Sequence, residues 1–364
     1  MAVVHEKGST PKYEFKGHEN VIWGCVFLHD NVHIVSGSQD GTMRKWNCDT
    51  GRLVGKPWRA TGGEINALAL SPDGKIITCG RADGSVQQWT TDGNIISGWW
   101  GHAKAVRGSD DGTILIRKAK SGVLEVAIQP RRERWFDPDE DYTPSQVWSL
   151  SYSPLGDRIA SGGSGHRIYI WNTKNGKYVI GPLGGGNVVT SLVWSSDGKE
   201  LYSASDNFAR VFDTITGELL HRYRHDDYLF SVALSPKNNV LACVGFFGIA
   251  QLWNTKSHKR GRSLCQDRKT SRCVSFSRDG RYLACGGYDY KLTVWVVNAP
   301  KPSHHQNQSE PPPHTNAAKS SSFPRPPKPS LARRFWNMIS RHHSPVHQSV
   351  PQKPPKRPRR ARPR

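Results

Sequence analysis

Gly37-Ser-Gln-Asp-Gly-Thr-Met-Arg-Lys-Trp-Asn47 is the stretch from which the fold can be read. Its Asp40-Gly41 pair marks a tight turn, because both residue types tolerate the backbone angles a turn demands. A short strand-forming run then ends on Trp46, six residues after Asp40. The same pattern recurs in Gln88-Trp89-Thr90, Ile170-Trp171-Asn172, Val211-Phe212-Asp213, Leu252-Trp253-Asn254 and Val294-Trp295-Val296. The aromatic anchors stand at 46, 89, 171, 212, 253 and 295, with spacings of 43, 82, 41, 41 and 42. The 82 equals two periods, so a seventh unit is expected between Trp89 and Trp171. Asp83, Asp206 and Asp289 stand six residues before their own anchors, as Asp40 does.

A second marker keeps the same period. Ser71-Pro-Asp-Gly74, Ser153-Pro-Leu-Gly156, Ser196-Asp-Gly198, Ser235-Pro236 and Ser277-Arg-Asp-Gly280 are turn signals. Each follows an alternating apolar run such as Ala67–Leu70 or Cys273–Phe276, and period-two alternation bounded by turns predicts short antiparallel strands. The chain therefore reads as all-β.

These phrases resemble the WD-repeat family, whose units of about 40–45 residues each build a four-stranded propeller blade. The resemblance covers Pro11 to about Asn298. It rests on Gly17-His18, Gly101-His102, the turn aspartates and the anchors; the literal Trp-Asp pair is replaced by Trp-Asn and Phe-Asp. It implies a seven-bladed β-propeller with an irregular third blade. It also implies a His–Ser–Asp–Trp hydrogen-bonded network inside each blade. Only the first unit fits throughout, with His18, Ser36, Asp40 and Trp46. The third keeps His102, and the second, fifth and seventh keep Asp83, Asp206 and Asp289, while Gly165 and Phe247 take the turn position of the fourth and sixth. Trp89, Trp171, Phe212, Trp253 and Trp295 complete this structural set. His, Ser and Asp in contact imitate a catalytic triad, but here they are expected to hold the blade together.

The last repeat ends soon after Trp295 and lacks an outer strand, and an open propeller would expose sheet edges. Residues Lys12–Lys16 are expected to supply that strand. The domain reading is an extension over 1–11, a propeller over 12–299 and a tail over 300–364.

Two alignments fit the third unit. In the first, Gly108-Ser-Asp-Asp-Gly-Thr113 matches Gly37-Ser-Gln-Asp-Gly-Thr42, Arg117 takes the anchor position, and most of the inner hairpin is missing. In the second, Ser109-Asp-Asp-Gly112 matches Ser71-Pro-Asp-Gly74, the anchor is Ala127 and Arg131–Phe136 form the outer strand. Motif identity favours the first. Both pair Thr113–Ala119 with Val123–Gln129 around Lys120-Ser-Gly122.

For function, the sequence excludes more than it assigns. There is no P-loop, nucleophile elbow, HExxH or CxxC, and Gly184-Gly-Gly186 lacks the strand-then-helix setting of a nucleotide loop. No enzyme activity, cofactor or metal site is expected. The seven scattered cysteines read as reduced thiols of a cytoplasmic or nuclear protein. No run of 18 apolar residues predicts a membrane span, and the first 16 residues contain no secretory signal core.

A non-catalytic protein-interaction scaffold is the preferred reading. Candidates for its partner-binding face are the residues where each inner strand begins, five before the turn Ser in most units, namely Trp23, Asn66, Trp148, Thr190, Phe230 and Arg272. Tyr288, Gln39 and Ala82 precede turn positions on the same face. Aromatics and an Arg around one opening have the composition of a binding hot spot, although simple packing of strand starts would also use them. The segment Arg131–Tyr142, charged and aromatic, is a second candidate surface or a solvated loop. Trp171-Asn-Thr-Lys174 and Trp253-Asn-Thr-Lys256 resemble the end of the motif that attaches some WD-repeat proteins to cullin-type ubiquitin ligases. Their upstream acidic position is missing, so substrate receptor of such a ligase is an alternative only.

The 364 residues carry 51 Lys+Arg against 30 Asp+Glu, a net charge of +21. Of these, 14 basic residues and a single acid fall in residues 300–364, together with 15 of the 24 prolines. That composition cannot bury enough apolar surface to order itself, so a disordered tail is expected. Pro-rich runs such as Glu310-Pro-Pro-Pro313 favour polyproline II. Within the tail, Leu331, Phe335, Met338 and Ile339 recur at helical spacing beside Trp336 and are flanked by Arg333, Arg334 and Arg341. This predicts a short amphipathic helix over 331–341 that folds on a groove or an anionic surface. Residues 353–364, with Lys356, Arg357, Arg359 and Arg360, suit a nuclear-import signal or a non-specific nucleic-acid contact. Chromatin or nucleic-acid association through this tail is the second functional alternative.

Overall fold

The computed structural model describes residues 10–100, 111–118, 121–129, 145–237, 239–265 and 269–297. Within them the chain is all β-strand and turn, with no helix. Six antiparallel four-stranded sheets follow one another as blades A to F. Blade A comprises Ile22–Phe27, His33–Ser38, Thr42–Asn47 and Arg52–Arg59, and blade B comprises Ile65–Leu70, Ile76–Arg81, Ser85–Thr90 and Ile95–Trp100. Blade C runs over Val147–Tyr152, Arg158–Gly163, Arg167–Asn172 and Tyr178–Gly184. Blade D runs over Val189–Trp194, Glu200–Ser205, Phe208–Asp213 and Leu219–Arg224. Blade E runs over Leu229–Leu234, Val240–Gly245, Ile249–Asn254 and Arg260–Cys265. Blade F takes Ser271–Phe276, Tyr282–Gly287 and Leu292–Val296 from the end of the repeats.

The fourth strand of blade F is Tyr13–Phe15, paired Tyr13 to Val294 and Phe15 to Leu292. The Lys12 amide extends the ladder to Val294 O at 2.7 Å. Joining the two ends of the repeat array in one sheet removes the open edges that a linear stack would leave.

The turns explain their own composition. In Ser71–Ile76, the Ser71 hydroxyl donates to Asp73 Oδ1 and accepts from the Ile76 amide at 2.9 Å. Gly74 closes the turn at φ +74°, a left-handed conformation that favours glycine. Ser277, Asp279 and Gly280 repeat the arrangement in blade F.

Apolar side chains pack between neighbouring blades. One cluster joins Phe15 and Ala284 of blade F to Ile22, Ile34 and Trp46 of blade A. Others join A to B, C to D, D to E and E to F.

The described residues build six complete blades, not the expected seven. Where the third blade was expected there is a two-stranded sheet, Ile114–Arg117 against Leu124–Ile128, with Ile114 opposite Ile128 and Leu115 opposite Ala127. Its Ile114, Ile116 and Ile128 pack on Val147, Ile159 and Trp171 of blade C. The stretch between Trp89 and Trp171 has the length of two periods, and its described residues outside blades B and C form these two strands.

Blade C, beside the two-stranded sheet, is covered differently from blade D. In blade D, Leu192 and Trp194 of the inner strand are 7% and 6% exposed, covered by blade C. The equivalent Leu150 and Tyr152 of blade C are 44% and 52% exposed. No helix among the described residues is long and apolar enough to cross a membrane.

Candidate protein-binding face

Trp23, Asn66, Trp148, Thr190, Phe230 and Arg272 are each the second residue of an inner strand. In every one of the six blades the pairing of the inner strand skips that residue, from Ile22 to Gly24, Ile65 to Ala67, Val147 to Ser149, Val189 to Ser191, Leu229 to Ser231 and Ser271 to Cys273. Each is therefore the extra residue of a β-bulge, a device that re-aims a side chain out of the normal alternation. All six side chains come together around a central channel of about 280 Å³. Sequence spacing brings out the set; the bulge has no sequence signal of its own and appears only in the strand register.

The ring is unevenly furnished. Trp148 donates its indole N–H to Gln146 Oε1 at 3.0 Å, and the Thr190 hydroxyl bridges Ala204 O and Leu229 O, each at 3.2 Å. Asn66 keeps a buried amide nitrogen without a hydrogen bond. Arg272, 9% exposed, lies across three blades. Its guanidinium carbon stands 3.9 Å from the Phe230 ring centre, 5.0 Å from Trp23 and 5.2 Å from Tyr288. Tyr288, in the turn after the second strand of blade F, accepts a hydrogen bond from Arg272 Nη2 at 3.1 Å and meets Trp23 edge-on. Gln39 occupies the matching turn of blade A and donates to Glu64 of blade B at 3.0 Å, while the Ala82 amide donates to Glu64 O.

The expected blade network forms in blade A. Trp46 Nε1 donates to Ser36 Oγ at 2.9 Å, and Ser36 meets His18 Nε2 at 2.8 Å. His18 Nδ1 meets Asp40 Oδ2 at 2.8 Å, and Asp40 also accepts from Thr42 and the Glu19 amide. Burial lowers the His18 pKa, outweighing the pull of Asp40. A neutral imidazole with its proton on Nδ1 satisfies every contact: it donates to Asp40 and accepts the Ser36 proton. Burial alone would raise the Asp40 pKa, but the hydrogen bonds from His18 and Thr42 outweigh it and hold the carboxylate well below its usual range. The group is sealed and fully occupied by itself, and it has the chemistry of a structural staple.

Elsewhere the network is partial. Trp171 donates to Ser161 Oγ at 2.8 Å in blade C. Blades B, E and F carry Cys79, Cys243 and Cys285 where A and C carry serine, ten residues before the anchor. In blades E and F Trp253 and Trp295 bury Nε1 without a hydrogen bond, while in blade B the Trp89 indole has the Cys79 thiol, a weak acceptor, beside it. Phe212 anchors blade D, where Asp206 pairs with Arg210 at 2.8 Å. Asp83 and Asp289 accept the Ser85 and Lys291 amides to shape their turns. Trp171 is core, and Trp253 packs partly buried against the blade D–E cluster, so the two Trp-Asn-Thr-Lys strings are strand ends.

The six cysteines whose side chains are described are buried free thiols, and none of the described His, Cys, Asp and Glu side chains cluster as a metal site. Cys25 and Cys273 Sγ lie 3.6 Å apart, far beyond a disulfide bond. The expectations for Gly101-His102, for Arg131–Tyr142 and for the tail residues Leu331, Phe335, Trp336, Ile339, Lys356, Arg357, Arg359 and Arg360 lie outside the described residues.

Residues 9–47, 53–90, 140–172, 178–213 and 262–296 match the family model described as WD domain, G-beta repeat. The first three strands of blade E, complete in the fold, fall outside those segments, and it is the blade with Phe247 at the turn position. Among curated proteins the chain is similar to autophagy-related protein 16 of Arabidopsis thaliana, 23% identical over 301 residues covering 79% of this chain. It is similar to eukaryotic translation initiation factor 3 subunit I of Bombyx mori, 26% identical over 224 residues covering 61% of the chain. It is also similar to the guanine nucleotide-binding protein subunit beta of Oryza sativa subsp. indica, 25% identical over 319 residues covering 78% of the chain and 82% of the relative. The matched region spans 58% and 59% of the length of the first two relatives.

Proposed function

The chain belongs to the WD-repeat propeller family, and we propose that within it the chain is a non-catalytic scaffold that holds other proteins at the mouth of its central channel. Propellers of this family typically act as protein-interaction scaffolds, and the relatives are varied in name. The observation that carries the reading is the channel ring, where bulges turn three aromatics, one Arg and two polar side chains toward a single opening. Trp and Arg dominate binding hot spots because they combine large contact area with directed polar groups. The sealed His18–Asp40 network argues against a catalytic role for that triad-like set.

The test is affinity capture by the full chain, by a Trp148→Ala/Phe230→Ala variant and by a chain ending at residue 299. Partners lost on the ring variant and kept without the tail support the reading; a partner set indifferent to the ring overturns it.

The tail favours a second reading. Its 14 basic residues against one acid suit association with nucleic acid or another anionic surface, and residues 353–364 suit nuclear import. The protein then works in the cytoplasm, the nucleus or both. Binding of the full chain to duplex DNA that falls steeply with salt and disappears without residues 300–364 supports this; binding that ignores salt counts against it.

A further inference from the structure

Arg272 is a full positive charge built into the channel wall, with no ion pair among the described residues. Arginine stays protonated in proteins, so burial cannot be relieved by losing the proton. Burial presses its pKa down, and Tyr288 is the group acting in the other direction. Among the described residues no carboxylate lies within ion-pair distance of it, and its buried Nε has no hydrogen bond. Of the two other buried arginines, Arg210 is neutralised by Asp206. Arg81, whose Nη2 is also buried without a hydrogen bond, spends its Nε on Gln87 and its Nη1 on the Gly63 and Gly41 carbonyls, away from the residues lining the channel. Arg272 has aromatic faces instead, and cation–π contact offsets only part of the cost of removing a charge from water.

The surroundings define what would complete it. Among the described residues, Arg272 is the one charged residue lining the channel. About 280 Å³ takes a side chain, not a folded element. A single guanidinium matches a single negative charge, whereas a phosphate group carries about −1.5 to −2 and would leave excess charge among aromatic rings. Arginine's planar fork also fits a carboxylate's two oxygens.

We propose that Arg272 is the receptor for an aspartate or glutamate side chain of a partner protein, inserted at the channel mouth beside Trp23, Phe230 and Tyr288. This rests on the reading of the channel mouth as the partner-binding face and specifies its chemistry: the aromatics exclude water and the acid supplies the missing charge. Excluding water around a charge pair strengthens it.

The test uses the full chain and a displayed library of 15-residue peptides with a randomised centre, followed by titration of the enriched peptides. The enriched set is expected to share one fixed Asp or Glu. Replacing that residue in the peptide by Asn or Gln should weaken binding by roughly 30-fold or more, the scale of truncating one partner of a buried charge pair. In Arg272→Gln, and less completely in Arg272→Lys, the acidic and amide peptides should bind alike. The thermal midpoint of each variant is read alongside, and the peptide-side substitution needs no altered protein at all. Enriched peptides without a fixed acid, or with a phosphoserine doing better than Asp or Glu, overturn this proposal and leave the binding face standing. No enrichment at any peptide overturns both.

Discussion

Replacing Cys285 by Ser should make the protein more stable, although it puts a polar group into a buried site. Trp295 is 1% exposed and its Nε1–H is buried without a partner. Cys285, also 1% exposed, sits on the adjacent strand ten residues earlier. At the same relative position Ser36 and Ser161 accept the indole protons of Trp46 and Trp171 at 2.9 and 2.8 Å. A buried donor left without a partner costs about 1–3 kcal/mol, while a neutral hydrogen bond contributes about 0.5–1.5 kcal/mol net. The hydroxyl brings its own desolvation, which the new bond offsets, so Cys285→Ser should gain about 1 kcal/mol. For a domain of this size that is a rise of roughly 2–4 °C in Tm. Urea and thermal unfolding of the full chain would measure it. Two further variants isolate the cause. In a Trp295→Phe background, which has no N–H to satisfy, Cys285→Ser should lose its benefit. Ser161→Cys should cost about what Cys285→Ser gains. Equal destabilisation by Cys285→Ser in both backgrounds would refute the reasoning.

The blade A network gives a pH signature: His18 has its folded pKa lowered, so the unfolded chain takes up the proton first and stability declines as pH falls below about 6.5. Asp40, also lowered, adds a second loss below about pH 4, and the unfolding midpoint of His18→Gln should show a shallower decline than wild type between those values. Asp40→Asn should cost about 1.5–3 kcal/mol at neutral pH by urea unfolding, the worth of hydrogen bonds to a charged group. Gly287→Ala should lower the thermal midpoint by the equivalent of about 1–3 kcal/mol, because the new Cβ would fall on the Thr270 carbonyl, just as one at Gly163 or Gly245 would fall on the Gln146 or Tyr228 carbonyl of blades C and E. Tyr152→Lys should change stability by no more than about 0.5 kcal/mol, whereas Trp194→Lys, at the equivalent place against a complete neighbour, should cost about 3–5 kcal/mol or prevent folding.

The family and the all-β class are legible because each blade must repeat the same two physical requirements: a turn closed by Asp or Gly and a large aromatic sealing the third strand. Those requirements leave the anchors from Trp46 to Trp295 at a fixed period. Blade count is less legible, because period measures chain length and not strand content. The stretch between Trp89 and Trp171 keeps the length of two blades, while its described residues outside blades B and C form the two strands Ile114–Arg117 and Leu124–Ile128. Blade E shows the converse: Phe247 removes the turn signal, and the sheet is whole because Val240, Ala242 and Leu252 pack it against blade F. At the channel, spacing picks out Trp23 through Arg272, but it says nothing of the bulges that aim them inward. Nor can it show that Arg272 has no ion pair among the described residues: Asp279, seven residues on, is engaged by Ser277 and Arg281. The cysteine substitutions stand in plain view ten residues before three anchors, and their consequence for the indoles needs coordinates.

The claim that partners are held at the channel mouth is tested most directly by site-specific photo-crosslinking. A benzophenone amino acid is placed in the full chain at Asn66 or Thr190, on the ring, and at Ile215, a 75% exposed turn residue outside the channel lining. Illumination in cell extract should give the same discrete protein adducts at positions 66 and 190, and none of them at 215. Adducts at 215 with none at 66 and 190, or ring adducts that vanish when residues 300–364 are removed, would contradict it.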